Sequence, residues 1–232
     1  MAAPKALVIG TGYVGGEVVE QLREKGYSVL TGRRSDGSDV HVDLNNAESI
    51  KALESAIPDG VDHVVAVAGH SSFGDISKFD SKSLVANYEN KLITMTRLAV
   101  MLVNEEVKLL RDGGSITLTS GLAARSTNRN WPAVSANCAG IDAFTRCAGI
   151  DAPRGVRINA VALTLVTETA IAAGKPTENT VPAAQVASRF VESITGTASG
   201  EVFTCGDPGA PKSFGAEVFE HLHKKQRKAA EA

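Results

Sequence analysis

The chain is short of the residues that would place it in several common classes. Three cysteines in 232 residues, Cys138, Cys147 and Cys205, are too few and too scattered for a disulfide framework or a CxxC metal site. A reducing setting and no bound metal are expected. Basic excess is also missing: 24 Lys and Arg stand against 26 Asp and Glu, a net charge of −2. That balance argues against a dedicated nucleic-acid binder. No apolar run nears the roughly 20 residues of a membrane helix, and the segment Met1 to Lys5 carries no signal-peptide pattern. A cytoplasmic protein with no membrane partner is expected. Repeats and low-complexity tracts are absent as well, and aromatic residues make up only 5% of the chain.

What is present is the composition of a packed globular protein, 43% hydrophobic and 22% charged. The length suits one sizeable core, so a single domain over residues 1–232 is expected. Lys5 to Gly10 (KALVIG) is an apolar run ending in glycine, and helix-like spacing follows from Glu17 to Lys25. The same alternation recurs, with strands near Ser28–Leu30, Val40–Val42 and Val61–Val67 and a helix near Ala47–Ala56. Near-continuous apolar strands are what helices covering both faces of a parallel sheet require.

Further on, a long helical stretch is predicted from Ser81 to Leu110, broken by Gly113-Gly114 before a fifth strand at Ser115–Thr119. A helix over about Ala133–Ile150, a sixth strand at Val156–Val161 and a last strand at Glu201–Thr204 follow. Between them, 163–181 reads as a substrate loop with room for a short helix, and Pro182 suits a helix start. Phe214 to Lys228 is expected to form a C-terminal helix with a solvated, charged end. The fold class is thus α/β, a single doubly wound domain with a parallel sheet of about seven strands.

Gly10-Thr11-Gly12-Tyr13-Val14-Gly15 is a GxGxxG motif between a predicted strand and a predicted helix. Glycines there let the backbone turn sharply and approach a pyrophosphate, which the free N–H groups of the helix start can hold. A site for NAD would place an acidic residue at the end of the second strand. This chain reads Thr31-Gly32-Arg33-Arg34, and two guanidinium groups suit a 2′-phosphate. NADP(H) is therefore the expected cofactor, unless both arginines are ordinary surface charges. Asp43 and Leu44 after the third strand, and Ala68 and Gly69 after the fourth, lie where adenine and ribose would border the sheet. Asp43 suits an adenine amino group, a helix cap near Asn45, or both.

These residues, with the run Gly114 to Gly121 (GSITLTSG), Arg154 to Val161 (RGVRINAV) and Val166-Thr167-Glu168-Thr169, resemble the short-chain dehydrogenase/reductase family over nearly the whole chain. The resemblance implies a Rossmann-type sheet, a nicotinamide cofactor across the strand carboxyl ends and hydride transfer. It also implies a homodimer or homotetramer. Cofactor contacts carried over are Gly10 through Gly15, Arg33, Arg34, Asp43, Leu44, Ala68, Gly69, Lys91, Thr119, Val166 and Thr169.

The departure from the family pattern lies at its catalytic pair. Typical members use a tyrosine as acid/base and a lysine four residues later; the alignment puts Val134 and Cys138 there. None of the three tyrosines, Tyr13, Tyr27 and Tyr88, stands in a YxxxK pattern. Ser120 falls at the first of two family serines, and Gly121 at the second. Candidate catalytic groups are therefore Ser120, Lys91, Tyr88 and His70, with Tyr88 and Lys91 expected on one helix face. Each has a plain structural alternative: a locally satisfied hydroxyl, a solvated lysine, a packed tyrosine, a loop histidine. Arg125, Arg129 and Trp131 follow Ser120 and suit an aromatic or anionic substrate or a subunit contact. Cys138 as a nucleophile is disfavoured, having no histidine beside it in sequence and an expected place on a buried helix.

The function expected is an atypical NADP(H)-dependent oxidoreductase acting on a small organic substrate. An iminium, an enone or an activated carbonyl fits, while simple ketones lack their proton donor. A non-redox cyclase or isomerase, and a non-catalytic NADP-binding regulatory protein, are the alternatives.

Overall fold

The structure is a computed structural model and describes residues 2–126 and 128–206. Seven strands form one sheet: β1 (Lys5–Ile9), β2 (Ser28–Arg33), β3 (Val40–His41), β4 (Val61–Ala66), β5 (Leu110–Gly121), β6 (Arg157–Leu163) and β7 (Val202–Cys205). All pairings are parallel and the order is β3-β2-β1-β4-β5-β6-β7. The chain therefore reverses its direction of travel across the sheet between β1 and β4, which opens a crevice at the strand carboxyl ends.

Both faces are buried, which is why the strands are apolar without alternation. Leu7 and Ile9 of β1 face one core with Ile50, Leu98, Leu102 and Ile141. Ala6 and Val8 face the other with Val18, Leu22, Val186 and Phe190. The first core is covered by α2 (Ala47–Ala56), α4 (Thr94–Val103) and α5 (Pro132–Asp151), the second by α1 (Tyr13–Glu24) and α7 (Ala183–Thr195). Two shorter helices complete the set, α3 (Ser81–Tyr88) and α6 (Thr167–Ala172). Pro132 opens α5, where a missing N–H does no harm.

Several boundaries differ from the sequence expectations. The predicted helix from Ser81 to Leu110 is α3 and α4 joined by a π-helical turn, Glu89–Ile93, and it stops at Val103. Asn104 caps it and Glu105 takes a left-handed φ of 57°, after which Val107 and Leu109 are buried as loop residues rather than on a helix face. Strand β5 begins earlier than predicted, at Leu110, which pairs with Val61 before a register shift. Gly113 and Gly114 are thus an irregularity inside the strand; a Cβ at Gly114 would overlap the Asp62 carbonyl. Helix α1 starts inside the glycine motif, at Tyr13, rather than at Glu17. The segment 163–181 holds α6 and a parallel bridge between Val166 and Val181. The C-terminal helix expected over 214–228 lies outside the described residues. No helix among the described residues is long and apolar enough to cross a membrane.

Candidate functional site

The crevice starts at the glycine turn. Gly10 has φ of 91°, and a Cβ there would overlap the Val67 carbonyl. A Cβ at Gly15 would overlap the Gly10 carbonyl, so the third glycine allows α1 to close down on the turn. Gly12 caps α1 with no side chain over its first N–H groups. Gly10 and Gly12 line a cavity of about 680 Å³ with Arg33, Arg34, Asp43 and Leu44. Ala68 and Gly69 border it from β4's end. Thr11 continues the turn, Val14 is buried beneath it and Tyr13 is exposed.

Arg33 closes β2 at this cavity, and its Nε is buried without a hydrogen-bond partner. Arg154 and Arg189 share that feature, but of the three only Arg33 lines this cavity, where its proton is open to a bound acceptor. Asp43 does not cap the next helix. Its Oδ1 accepts from Asn45 N at 3.0 Å in a local turn, while the α2 cap is Asn46, whose side chain accepts from Glu48 N at 3.0 Å.

A second cavity, of about 280 Å³, continues from the first, since Gly69 and His70 line both. Its wall is largely apolar, with Phe73, Leu122, Trp131, Val134 and Leu165; Phe73 and Trp131 meet edge to face at 5.8 Å. Thr119, Val166 and Thr169 line it too, although the Thr119 hydroxyl is taken by the Ala66 carbonyl at 2.6 Å. Positions 134 and 138 both face this space. The two residues aligned with the family pair therefore do look into one cavity.

Lys91 enters that cavity from the π turn. It is only 7% exposed, and its Nζ donates to the Ala68 carbonyl at 2.9 Å. Burial pulls its pKa down to about 8. Tyr88 lines neither cavity. The shared face expected for Tyr88 and Lys91 presumes an α-helix, and the i→i+5 turn between them changes the angular step. His70 lies at the junction, its N–H donating to the Asn90 carbonyl at 3.1 Å.

Ser120 lines the second cavity, but its hydroxyl is engaged from behind by the Asp142 carboxylate and lies 3.2 Å from the Cys138 carbonyl. Asp142 is 2% exposed and also takes Arg125 Nη2 at 3.2 Å. Burial raises its pKa, opposed by the Ser120 hydrogen bond and Arg125. Sequence reasoning passed over Asp142; the available signal was a lone acid one helical turn after Cys138 on an otherwise apolar helix face. Asn137 was passed over as well. Fully buried, it donates through Nδ2 to Asn87 Oδ1 at 2.8 Å and Ser71 Oγ at 2.9 Å, tying α5 to α3 beside the cavity.

Cys138 is 5% exposed, and burial pushes its thiol up to about 11. It is therefore a protonated, poor nucleophile near neutral pH. Arg129 is exposed and lines neither cavity. Arg125 serves Asp142 rather than the cavity. Among the described residues no group of three or more His, Cys, Asp or Glu could hold a metal ion.

A parallel sheet in this order, a glycine turn at its switch point and a crevice running across the strand ends define a doubly wound dinucleotide-binding domain. The chain belongs to the short-chain dehydrogenase/reductase family of oxidoreductases, which use nicotinamide cofactors. A family model described as enoyl-(acyl carrier protein) reductase matches residues 13–199. Among solved structures, the protein lin1944 from Listeria innocua is 31% identical, with a TM-score of 0.78 over 87% of this chain and 99% of that one. Two structures of a small-chain dehydrogenase share the fold at a TM-score of 0.73. One is 24% identical. The other, a complex with NADPH, is 22% identical; each covers 90% of this chain and 98% of its own. No curated protein sequence matches the chain.

Proposed function

We propose that the chain is an NADP(H)-dependent reductase of an atypical short-chain type, lacking the family's tyrosine–lysine pair and acting on a small organic substrate. The observation that carries this reading is the paired cavity. One half holds the glycine turn and Arg33, the other is apolar around Lys91, and Gly69 and His70 join them. The residues fit a dinucleotide: the space above Gly10 and Gly12 is open to a pyrophosphate, and the orphaned Arg33 Nε suits a 2′-phosphate. Arg34 adds charge at the same edge, Asp43 and Leu44 border the adenine end, and Ala68 and Gly69 the ribose.

When bound, the cofactor supplies a hydride to an electrophilic carbon. The chain's part is to orient and desolvate. Phe73, Trp131 and Val134 exclude water from the second cavity, and Val166 and Thr169 close it from the other side. Ser120, its hydroxyl held by Asp142, lines the cavity, and His70 stands at the mouth. Iminium, enone and activated carbonyl compounds of a size suited to about 280 Å³ are the substrate classes. A homodimer or homotetramer is the proposed assembly, to be checked by light scattering.

The test follows NADPH and NADH absorbance against a panel of imines, enones and ketones. NADPH-dependent reduction of one class supports the reading. Tight NADPH binding with no turnover on any class favours a regulatory protein, and product formed without cofactor consumption favours a cyclase or isomerase.

A further inference from the structure

The second cavity holds a buried cation with no counter-ion. Lys91 makes no ion pair among the described residues, and the Ala68 carbonyl accepts the only hydrogen bond its Nζ makes there. An ammonium group has three protons to donate, so two point at nothing the described chain supplies. The position is built for it. Gly69 has φ of 86°, and a Cβ there would come within 2.9 Å of the Lys91 Cδ, so the glycine leaves the channel through which the stem passes. The π turn then presents the side chain to the cavity rather than to solvent.

The titratable groups facing this cavity are Lys91, Cys138 from α5 and His70 from the segment after β4. The Cys138 thiol holds its proton too tightly to give it up near neutral pH. His70 sits at the mouth shared by both cavities. Asp142 lies behind Ser120 and is paired with Arg125. Lys91 alone combines a place in the apolar wall with uncommitted protons.

We propose that Lys91 is the proton donor of this site, taking over from the π turn before α4 the role that position 134 cannot perform. The inference rests on the reductase reading above. As hydride reaches a carbonyl carbon, the C=O π pair moves to oxygen. A proton passes from Lys91 Nζ to that oxygen, and the neutral amine regains a proton from water. One hydride and one proton are added, the reduced nicotinamide is oxidised and an alcohol leaves. The negative charge developing on oxygen is the counter-charge that the free protein withholds from Lys91, so the interaction strengthens as the reaction proceeds. The substrate class thereby widens to plain small ketones with an apolar body, which the missing tyrosine had argued against. The lowered pKa of about 8 suits a donor working near neutrality.

The experiment uses the full chain in three forms: unmodified, Lys91→Met and Lys91→Arg, with Lys82→Met on the exposed start of α3 as a surface control. Lysine side-chain NMR on the unmodified, Lys91→Met and Lys91→Arg proteins locates the Lys91 signal, which either variant removes, and follows its titration. NADPH affinity is read by fluorescence, and reduction of cyclohexanone and acetophenone by absorbance. Expected are a Lys91 midpoint near 8, ketone reduction falling above that pH, and at least a hundredfold loss of turnover in Lys91→Met that exceeds any loss of NADPH affinity at least tenfold. Lys91→Arg keeps the charge but holds its proton, so it loses turnover too. If Lys91→Met does not fold, the midpoint and the Lys91→Arg turnover decide. A Lys91 midpoint near that of a solvated lysine, or undiminished ketone reduction in either variant, overturns the donor role and leaves the reductase reading standing. An unmodified protein that neither binds NADPH nor turns over ketones overturns both.

Discussion

Replacing Arg33 by alanine isolates the contribution of one guanidinium to cofactor choice. Arg33 ends β2, lines the larger cavity and leaves Nε buried and unpaired. A charge-assisted hydrogen bond to a phosphate oxygen contributes on the order of 1.5–3 kcal/mol. Because Arg33 is half-buried at the crevice edge, solvent screening favours the lower half of that range. At about 1.4 kcal/mol per decade, NADPH affinity should fall roughly ten- to fortyfold. NADH has no 2′-phosphate to lose, so its affinity should change less than about twofold by the same reasoning. Arg34 is exposed, and its further removal adds only the 0.2–1 kcal/mol or so of a surface ion pair. Fluorescence titration of both cofactors into the parent, Arg33→Ala and the double variant measures the ratio directly. An unchanged NADPH-to-NADH affinity ratio in Arg33→Ala, in a protein that melts at its usual temperature, would refute the assignment.

Other outcomes follow from particular contacts. His63 packs against Tyr27 and meets Ser115 Oγ at 2.8 Å, and burial lowers its pKa to about 4. The fold favours the neutral ring, so its contribution is whole above the unfolded pKa near 6.5. It is lost as pH falls toward 4, by about 1–3 kcal/mol after allowing for partial exposure. Denaturant melts of His63→Gln should show a shallower loss over that window, and identical pH profiles would sink the assignment. Ser120→Ala removes a donor from the buried Asp142 and should lower stability by about 1–3 kcal/mol; a melting temperature equal to the parent's would show the pair to be idle. Val134→Tyr with Cys138→Lys, made in a Lys91→Met background, should restore part of any lost ketone reduction, since both positions face the cavity. No recovery in a folded triple variant, judged by its melting curve, would place the two positions out of reach of the substrate.

Much of the fold was legible in the chain because it is encoded locally. The apolar strand runs, the glycine turn and the helix over Ala47–Ala56 depend on residues within a few positions of one another, and a doubly wound sheet has few ways to connect them. Arg33 and Arg34 could be placed at the crevice for the same reason: they stand at the end of a strand whose carboxyl end had to lie there. Tertiary packing decided the rest. The helix carrying Lys91 widens to a π turn at Glu89–Ile93, where Thr94 Oγ1 donates to the Glu89 carbonyl and Lys91 Nζ to the Ala68 carbonyl, contacts that no local sequence pattern announces. That turn separates Tyr88 from Lys91, which an α-helical period would have joined. Ser120 and Asp142 lie 22 positions apart on different elements, and no local pattern announces that one takes the other's hydroxyl. The early start of β5 at Leu110 likewise depends on pairing with Val61 of β4, and the buried Val107 and Leu109 find their backbone partners in the connection between α4 and β5, with Val107 N donating to the Met101 carbonyl and the Leu109 carbonyl accepting from Val61 N.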